Sequence, residues 1–328
     1  MIDLSVVIAN YETSDLLSRC LDSVDRAMRF DLTLGVETIL VDNGSRDDSV
    51  ENARSRANPP RIISLVRNRG FAAAVNLGLR IRRGRHVLLL NSDVEIDEEL
   101  LLRGVQILDQ ASDAGVLGAA LAHPDGRSQR SVHALPSLSS ELIPGPLLGF
   151  LRPQAARNRT SSTAVAQTAL PRQVEAVRGA AFFIRGELLE KVGLLDEGYF
   201  FFLEETDYCW RAREAGHHVL YCESLRATHR LGASSKRRAP LATRIEFHRS
   251  LYRFLERRCG RLTSSIARLV RILRSGLSLV GLSLVAARNA TARRRLAERW
   301  GLLLWHLRGC PHEGALAAAL LAEGSRPR

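Results

Sequence analysis

The chain has 328 residues, 45% apolar and 25% charged, which suits a globular protein with one large core and excludes disordered and fibrous classes. Its five cysteines (Cys20, Cys209, Cys222, Cys259 and Cys310) form no C-x-x-C pair, which argues against a disulfide framework or zinc site and suits a reducing cytoplasm. The net charge of +12 is lopsided: residues 236–328 hold 20 Lys/Arg and 5 Asp/Glu, the first 235 hold 27 and 30, so the tail carries +15 and the front −3.

Residues 1–5 have no basic leader and run straight into a strand pattern, so no cleaved secretory signal is expected. The β-branched run 4–9 predicts a buried strand ending at Asn10-Tyr11. Leu16, Leu17, Cys20, Leu21 and Val24 follow at helical spacing, with Thr13, Ser14 and Asp15 placed to cap. Residues 37–41 read as a second strand closed by Asp42-Asn43-Gly44-Ser45, and 62–66 as a third. A helix over 71–82 is entered through Asn68-Arg69-Gly70, and 86–90 reads as a fourth strand ending in Asn91-Ser92-Asp93. This alternation predicts an α/β fold with a mostly parallel sheet flanked by helices. Ligands of such sheets bind beyond the carboxyl ends of the strands, where the three polar clusters fall.

From about 122 to 172 the rhythm breaks. Pro124-Asp125-Gly126 marks a hairpin turn, and Pro136, Pro144, Pro146, Pro153 and the Ser/Thr run 160–163 predict long loops. Order resumes at Val174, with helices over 186–192 and about 204–216 and a strand over 218–222.

In the tail, Ile245, Leu251, Tyr252, Phe254 and Leu255 recur at helical spacing beside Arg249, Arg253, Arg257 and Arg258. The run 277–287 is the most apolar, well short of the ~20 residues a bilayer crossing needs. Charge confined to one end and alternating with Leu and Trp (Trp300, Trp305) predicts amphipathic helices on an anionic membrane surface. The competing reading is a helical subdomain packed on the core with arginines outward. A nucleic-acid-binding protein using the basic tail is the alternative from another class. No helix-turn-helix, RRM or zinc motif supports it, and no nucleic acid partner is expected.

Six segments, VVIANYETSDLLSRCLDSV, ILVDNGSRDDS, NRGFAAAVNLG, LLLNSDVEI, RGAAFFIRGELLEKVGLLDEGYFFFLEETDYCWRAREAGHHVLY and ATHRLGASS, cover nearly all of residues 4–235. In type and order they resemble the inverting family 2 glycosyltransferases of the GT-A fold, nearest to the rhamnosyltransferase-like bacterial branch. The resemblance implies a GT-A (Rossmann-like) catalytic domain over 1–235, with a nucleotide-binding half (about 1–121) and an acceptor and catalytic half (about 122–235), then the helical tail 236–328. It implies metal-dependent transfer from a dTDP- or UDP-linked sugar, dTDP-rhamnose among them, to a glycan or lipid-linked hydroxyl in cell-envelope polysaccharide synthesis. The expected place is cytoplasmic, peripheral on the inner face of the cell membrane.

Roles follow where residue chemistry and resemblance meet. A carboxylate at Asp42 accepts the ring N3–H of uracil or thymine, which cytosine lacks. The resemblance assigns Asp42 to the base, with Ala9, Tyr11, Glu12, Asn68 and Asn91 around the nucleotide; an Asx turn is its structural alternative. Asn91-Ser92-Asp93 occupies the place of the family's D-x-D motif. Positions i and i+2 share a face, so Asn91 and Asp93 converge on one divalent cation, Mn2+ or Mg2+. Asn91 replaces the first acid, which leaves the alternative of a catalytically inactive glycosyltransferase-like protein; Glu95 shares the face. His229 resembles the late histidine that completes coordination. Glu205 matches the family's catalytic base, Glu204 is its rival, and Asp207 is a third carboxylate that also suits an i,i+4 pair with Arg211. Gly179 and Ala180 resemble a stretch near donor sugar and acceptor, and Trp210 and Arg211 match the family's Trp-Arg.

Overall fold

The computed structural model describes residues 1–143, 170–230, 239–286, 290–311, 316 and 318. Most of the expected long loops (144–169) and the Gly232-Ala233-Ser234 flank of His229 lie outside the described residues. The chain divides into two compact units, one of Met1–Leu135, Gln154–Gly198 and Glu204–Ala233, the other of Pro136–Pro153, Tyr199–Leu203 and Ser234–Arg328.

The first elements are β1 (Leu4–Asn10), α1 (Ser14–Phe30), β2 (Val36–Asp42), α2 (Ser49–Arg54), β3 (Arg61–Ser64), α3 (Phe71–Ile81) and β4 (His86–Asn91). Next come β5 (Val94–Ile96), α4 (Leu100–Gln110), β6 (Ala114–Ala122), β7 (Val132–His133) and a short helix, α5 (Leu138–Leu142), of the second unit. After these follow β8 (Arg172–Gln173), β9 (Ala176–Val177), β10 (Ala181–Arg185), α6 (Gly186–Val192), α7 (Glu204–Glu214) and β11 (His218–His229).

The nine-stranded sheet runs β3-β2-β1-β4-β10-β6-β11-β5, with β8 also on β11. Strands β3, β2, β1 and β4 are all parallel, β10 is antiparallel to both its neighbours, and β6 and β11 are parallel again. The mostly parallel sheet is therefore present. The strand order reverses between β2 and β4 on either side of β1, a topological switch point, where sheets of this kind take ligands beyond their carboxyl ends. Leu4, Val6, Val7 and Ile8 are fully buried, as a central strand covered on both faces requires. Leu17, Cys20, Leu21, Val24 and Ala27 form the inward stripe of α1. Thr13 does not cap α1 with its side chain; its hydroxyl donates to Asn10 Oδ1 at 2.6 Å, while the Ser14 N–H is taken by Asp47 Oδ2 at 3.0 Å. The hairpin expected at 124–126 is present, with Ala122 bridging Ser128 and the Gly126 N–H donating to the His123 carbonyl. The strand expected at 218–222 continues to His229, and α4 and β6 had no counterpart among the expected elements.

The second unit contains α8 (Pro240–Cys259), α9 (Arg261–Ala286) and α10 (Ala290–Leu307). Ile245 of α8 packs with Leu302 and Trp305 of α10, and Leu251 and Leu255 with Ala267 of α9. The apolar positions read as one amphipathic face thus point into a helical core. Within it, His306 Nδ1 donates to the Leu302 carbonyl at 2.8 Å, so its Nε2 accepts from Tyr252 Oη (2.7 Å) and His248 Nδ1 (3.2 Å). Arg271 donates to His248 Nε2 (2.9 Å) and to both oxygens of Glu141 on α5. Burial holds both imidazoles neutral, pulling His248 down to about 2 and His306 below its ordinary value. Every ring nitrogen in this network is satisfied, which pins α5, α8, α9 and α10 in one register. The other side of α9 presents Leu262, Leu269, Leu273, Leu277 and Val280 to solvent. Among the described residues no helix is long and apolar enough to cross a membrane.

Candidate active site

Register brings the first two polar clusters together: Asn10 lies opposite Asp42 and Ala9 opposite Asn91, at the ends of three adjacent parallel strands. Asp42 is only 2% exposed and both its oxygens are engaged, Oδ1 by the Asn10 amide (3.0 Å) and Oδ2 by the Ser45 N–H (3.0 Å). Asp42 thus caps the loop after β2, but through the N–H three residues on rather than two as in an Asx turn, and each oxygen keeps a second lone pair. The Glu12 N–H donates to Ser45 Oγ at 2.8 Å, with Glu12 itself in the left-handed region at φ 51°. Asn68 accepts from the Asn43 amide (3.1 Å) and the Gly70 N–H (2.9 Å), stitching the loop before α3 to the end of β2. Gly44, at φ 84°, passes so close to the Arg67 backbone that a Cβ would stand 2.8 Å away, and only glycine fits.

The third cluster joins the end of β11. β5 pairs antiparallel with β11, setting His229 opposite Val94, and the Arg230 N–H donates to the Asp93 carbonyl at 3.0 Å. His229 Nε2 then stands 3.3 Å from Asp93 Oδ1. Two ligands about 2.1 Å from one octahedral ion stand about 3 Å apart, so this spacing fits a shared divalent cation. Asn91 Oδ1 is buried without a hydrogen-bond partner, a carbonyl lone pair left for a ligand. Glu95 is committed to an ion pair with Arg230. Among the described residues no three His, Cys, Asp or Glu side chains gather around one point. The candidate ligands are thus Asp93 and His229, with Asn91 two residues before Asp93, a sparse set of the kind that could hold Mg2+ or Mn2+ where phosphates and water complete the shell.

Glu204 opens α7 directly after Phe202 and Leu203, which hold left-handed φ values of 73° and 65°, and Glu205 is its second residue. Two consecutive non-glycine residues in that region are strained, a condition concentrated at functional sites. Gly179 lies against the Glu205 side chain: a Cβ there would be 3.1 Å from its Cβ and 3.2 Å from its Cγ. The next residue, Ala180, accepts from the Asn91 N–H at 3.0 Å. The Gly179-Ala180 strip thus runs between Glu205 and the strand end that carries Asn91. Burial raises the Glu205 carboxyl above its ordinary value, opposed by Arg178, the N–H groups of Glu205 and Thr206, and the Thr206 hydroxyl.

Glu204 is buried at 5% exposure, away from solvent. Asp207 is fully buried and paired with Arg211 at 2.7 Å; Arg211 also donates to the carbonyls of Val192 and Leu194. This pair clamps α7 to the end of α6. Trp210 is half-buried on α7. Three residues around Glu205 and Thr206 are given no role by the sequence alone. His133 of β7 contacts Thr206 Oγ1 at 2.9 Å and is pulled down to about 4 by burial, Arg130 and Arg178. Arg178 and Thr206 flank the carboxylate, and Gln129 lies against His229. Valine at position 179 should displace the Glu205 side chain and lower transfer about a hundredfold, with alanine milder; steady-state kinetics beside unchanged donor binding check this.

The family model for glycosyl transferase family 2 matches residues 5–173. The chain is 30% identical over 269 residues to N-acetylglucosaminyl-diphospho-decaprenol L-rhamnosyltransferase of Mycobacterium tuberculosis, covering 77% of this chain and 83% of that one. It is 23% identical over 242 residues to low-salt glycan biosynthesis hexosyltransferase Agl10 of Haloferax volcanii, covering 69% and 67%. Its fold resembles a Pyrobaculum calidifontis mannosyltransferase solved with GDP-Man and Mn2+ (TM-score 0.54, 13% identity, 93% of this chain and 86% of that one). It also resembles S. aureus TarS residues 1–349 with UDP-GlcNAc (TM-score 0.53, 14% identity, 100% and 93%). These structural likenesses establish the expected GT-A fold. With half its length matched by the family model and most of it aligned to a rhamnosyltransferase, the chain belongs to glycosyl transferase family 2.

Proposed function

We propose that the protein is an inverting glycosyltransferase, dependent on Mn2+ or Mg2+, that moves a sugar from a dTDP- or UDP-sugar, dTDP-rhamnose among them, to a lipid-linked or glycan hydroxyl. The observation that carries this reading is the Gly179-Ala180 strip, with the carboxylate of Glu205 on one side and the strand end leading to Asp93 and His229 on the other. Asp42 meets the pyrimidine N3–H, with Ala9, Tyr11, Glu12 and Asn68 shaping the nucleotide crevice. Asp93 and His229, with Asn91, hold the metal, which when bound neutralises charge gathering on the leaving diphosphate. Glu205 takes the proton of the acceptor hydroxyl as that oxygen attacks the anomeric carbon from the face opposite the leaving group. Glu204 is the rival base, Asp207 acts through Arg211, and Trp210 supports the acceptor side. A thermal-shift screen in Mn2+ tests the donor. UDP- and dTDP-sugars should raise Tm and CDP-sugars should not; a shift given by GDP-sugars alone would overturn the pyrimidine reading.

The relative from M. tuberculosis is named for a diphospho-decaprenol acceptor; an acceptor of that class would draw this enzyme to the inner leaflet. Support comes from the outward leucines of α9, flanked by exposed Arg261 and Arg274, and from exposed Trp300 on α10 beside Arg293, Arg294 and Arg295. An apolar face rimmed by arginines suits an anionic bilayer surface, where each cation contributes about 1 kcal/mol. Full-length protein should co-sediment with phosphatidylglycerol vesicles, more weakly at high salt. Leu269→Glu with Leu273→Glu and Leu277→Glu should lower vesicle affinity at least about tenfold. Undiminished sedimentation of that variant would exclude α9 as the contact.

A further inference from the structure

Gln129 follows the 124–126 turn and is 4% exposed. Its Nε2 lies 3.1 Å from the Ala122 carbonyl oxygen and 2.6 Å from that of His229. Carbonyls only accept, so these two contacts fix which end of the amide is NH2. The same nitrogen lies 3.2 Å from His123 Nδ1. Oε1 is thereby turned to His229 Nδ1 at 3.1 Å. An acceptor at that distance requires a proton on Nδ1. Neutral His229 then carries its lone pair on Nε2, the nitrogen 3.3 Å from Asp93 Oδ1. The opposite tautomer would set a lone pair against the amide oxygen and an N–H where a metal ion must bond.

We propose that Gln129 is a positioning residue that presets His229 as a metal ligand by imposing the Nδ1–H tautomer and tethering the histidine's own carbonyl. The proposal rests on the reading of Asp93 and His229 as the metal pair. One amide holds both the main chain and the ring of the ligand, which explains a buried glutamine between a surface hairpin and the end of β11. Partners that orient a ligating histidine in this way are commonly worth ten- to a hundredfold in metal affinity.

The test uses the full chain labelled with 15N-histidine, with the His229 ring signals assigned by their loss in His229→Asn. Long-range 1H–15N correlations report the tautomer, and electron paramagnetic resonance of the free ion reports binding of Mn2+ added alone. Wild type should show the proton on Nδ1. Gln129→Leu should lose that preference and weaken Mn2+ binding about ten- to a hundredfold, with circular dichroism and Tm confirming that it folds. Gln129→Glu keeps an acceptor toward Nδ1 but loses the N–H bonds to the Ala122 and His229 carbonyls, so it should recover the tautomer while its Mn2+ affinity stays below that of wild type. A proton on Nε2 in wild type, equal Mn2+ affinity in Gln129→Leu, or no recovery of the tautomer in Gln129→Glu would each overturn the proposal. Wild type with the Nδ1 proton but no Mn2+ uptake at millimolar concentrations would instead overturn the metal reading beneath it.

Discussion

Glu205→Gln should lower transfer by about 10^2- to 10^4-fold, the range general-base catalysis supplies, while donor-induced thermal stabilisation is retained. The amide preserves shape against Gly179, where the contact is tight, but it offers no lone pair basic enough to take a proton. Burial raises the Glu205 pKa, so the deprotonated base is lost at a higher pH than an exposed glutamate would be. The acid limb of the kcat profile should therefore lie above the ordinary value of 4.5, with activity falling as pH drops through the raised pKa. Arg178 opposes that rise, and Arg178→Ala should move the limb further up. Two neighbours serve as controls. Glu204→Gln should keep most activity; if it is the inactive variant and Glu205→Gln is not, the base is Glu204. Asp207→Asn breaks a buried ion pair and should destabilise the fold by about 3–5 kcal/mol, a loss read in Tm as well as in rate.

How far the sequence reveals this arrangement depends on whether local pattern or tertiary contact dictates each residue. β1, β2 and β4 are continuous apolar runs ending in polar clusters, so their positions and shared carboxyl end are legible. β6 is Ala-Gly-Val-Leu-Gly-Ala-Ala-Leu-Ala, a poor strand by propensity. Its composition answers to packing: a Cβ on Gly118 would meet the Val177 side chain at 2.5 Å, and one on Gly115 would meet His217 at 2.8 Å. α4 carries Gly104 at mid-helix for a similar reason, since the Phe183 ring occupies the space where a Cβ would be. Asp93, Glu205 and His229 stand out because they recur in recognisable segments. Gln129 does not, because its meaning lies in a contact 100 residues away along the chain. His133 likewise meets Thr206, and Arg178 acts on Glu205, from β7 and from the residue after its partner strand β9. In the tail, charge and periodicity reveal amphipathic helices, but only packing tells that Ile245, Leu251 and Trp305 face inward and the leucines of α9 outward.

Chelation of divalent ions should lower transfer by about a thousandfold, the rate equivalent of roughly 4 kcal/mol of charge stabilisation, with recovery on adding Mn2+ or Mg2+. Asp93→Ala should lose as much and recover with neither ion. The reasoning is a count of charge at the site. Asp93 faces His229, Asn91 is neutral, and Glu95 is held by Arg230, so Asp93 is the one uncommitted carboxylate of the motif. A cation held by one carboxylate and one imidazole is bound weakly until the diphosphate of the donor adds its oxygens. Metal and nucleotide should therefore bind with positive coupling: UDP or dTDP tightens Mn2+, and Mn2+ tightens the nucleotide by the same factor. Calorimetric titrations in both orders check the equality. Independence of the two would mean that Asp93 and His229 do not share a cation with the donor. Transfer undiminished by chelator would remove the metal altogether, leaving the 3.3 Å contact as a direct pairing of the Asp93 and His229 side chains. In that case the leaving diphosphate would need its positive charge from arginine, and Arg178, already beside Glu205, is where that search would begin.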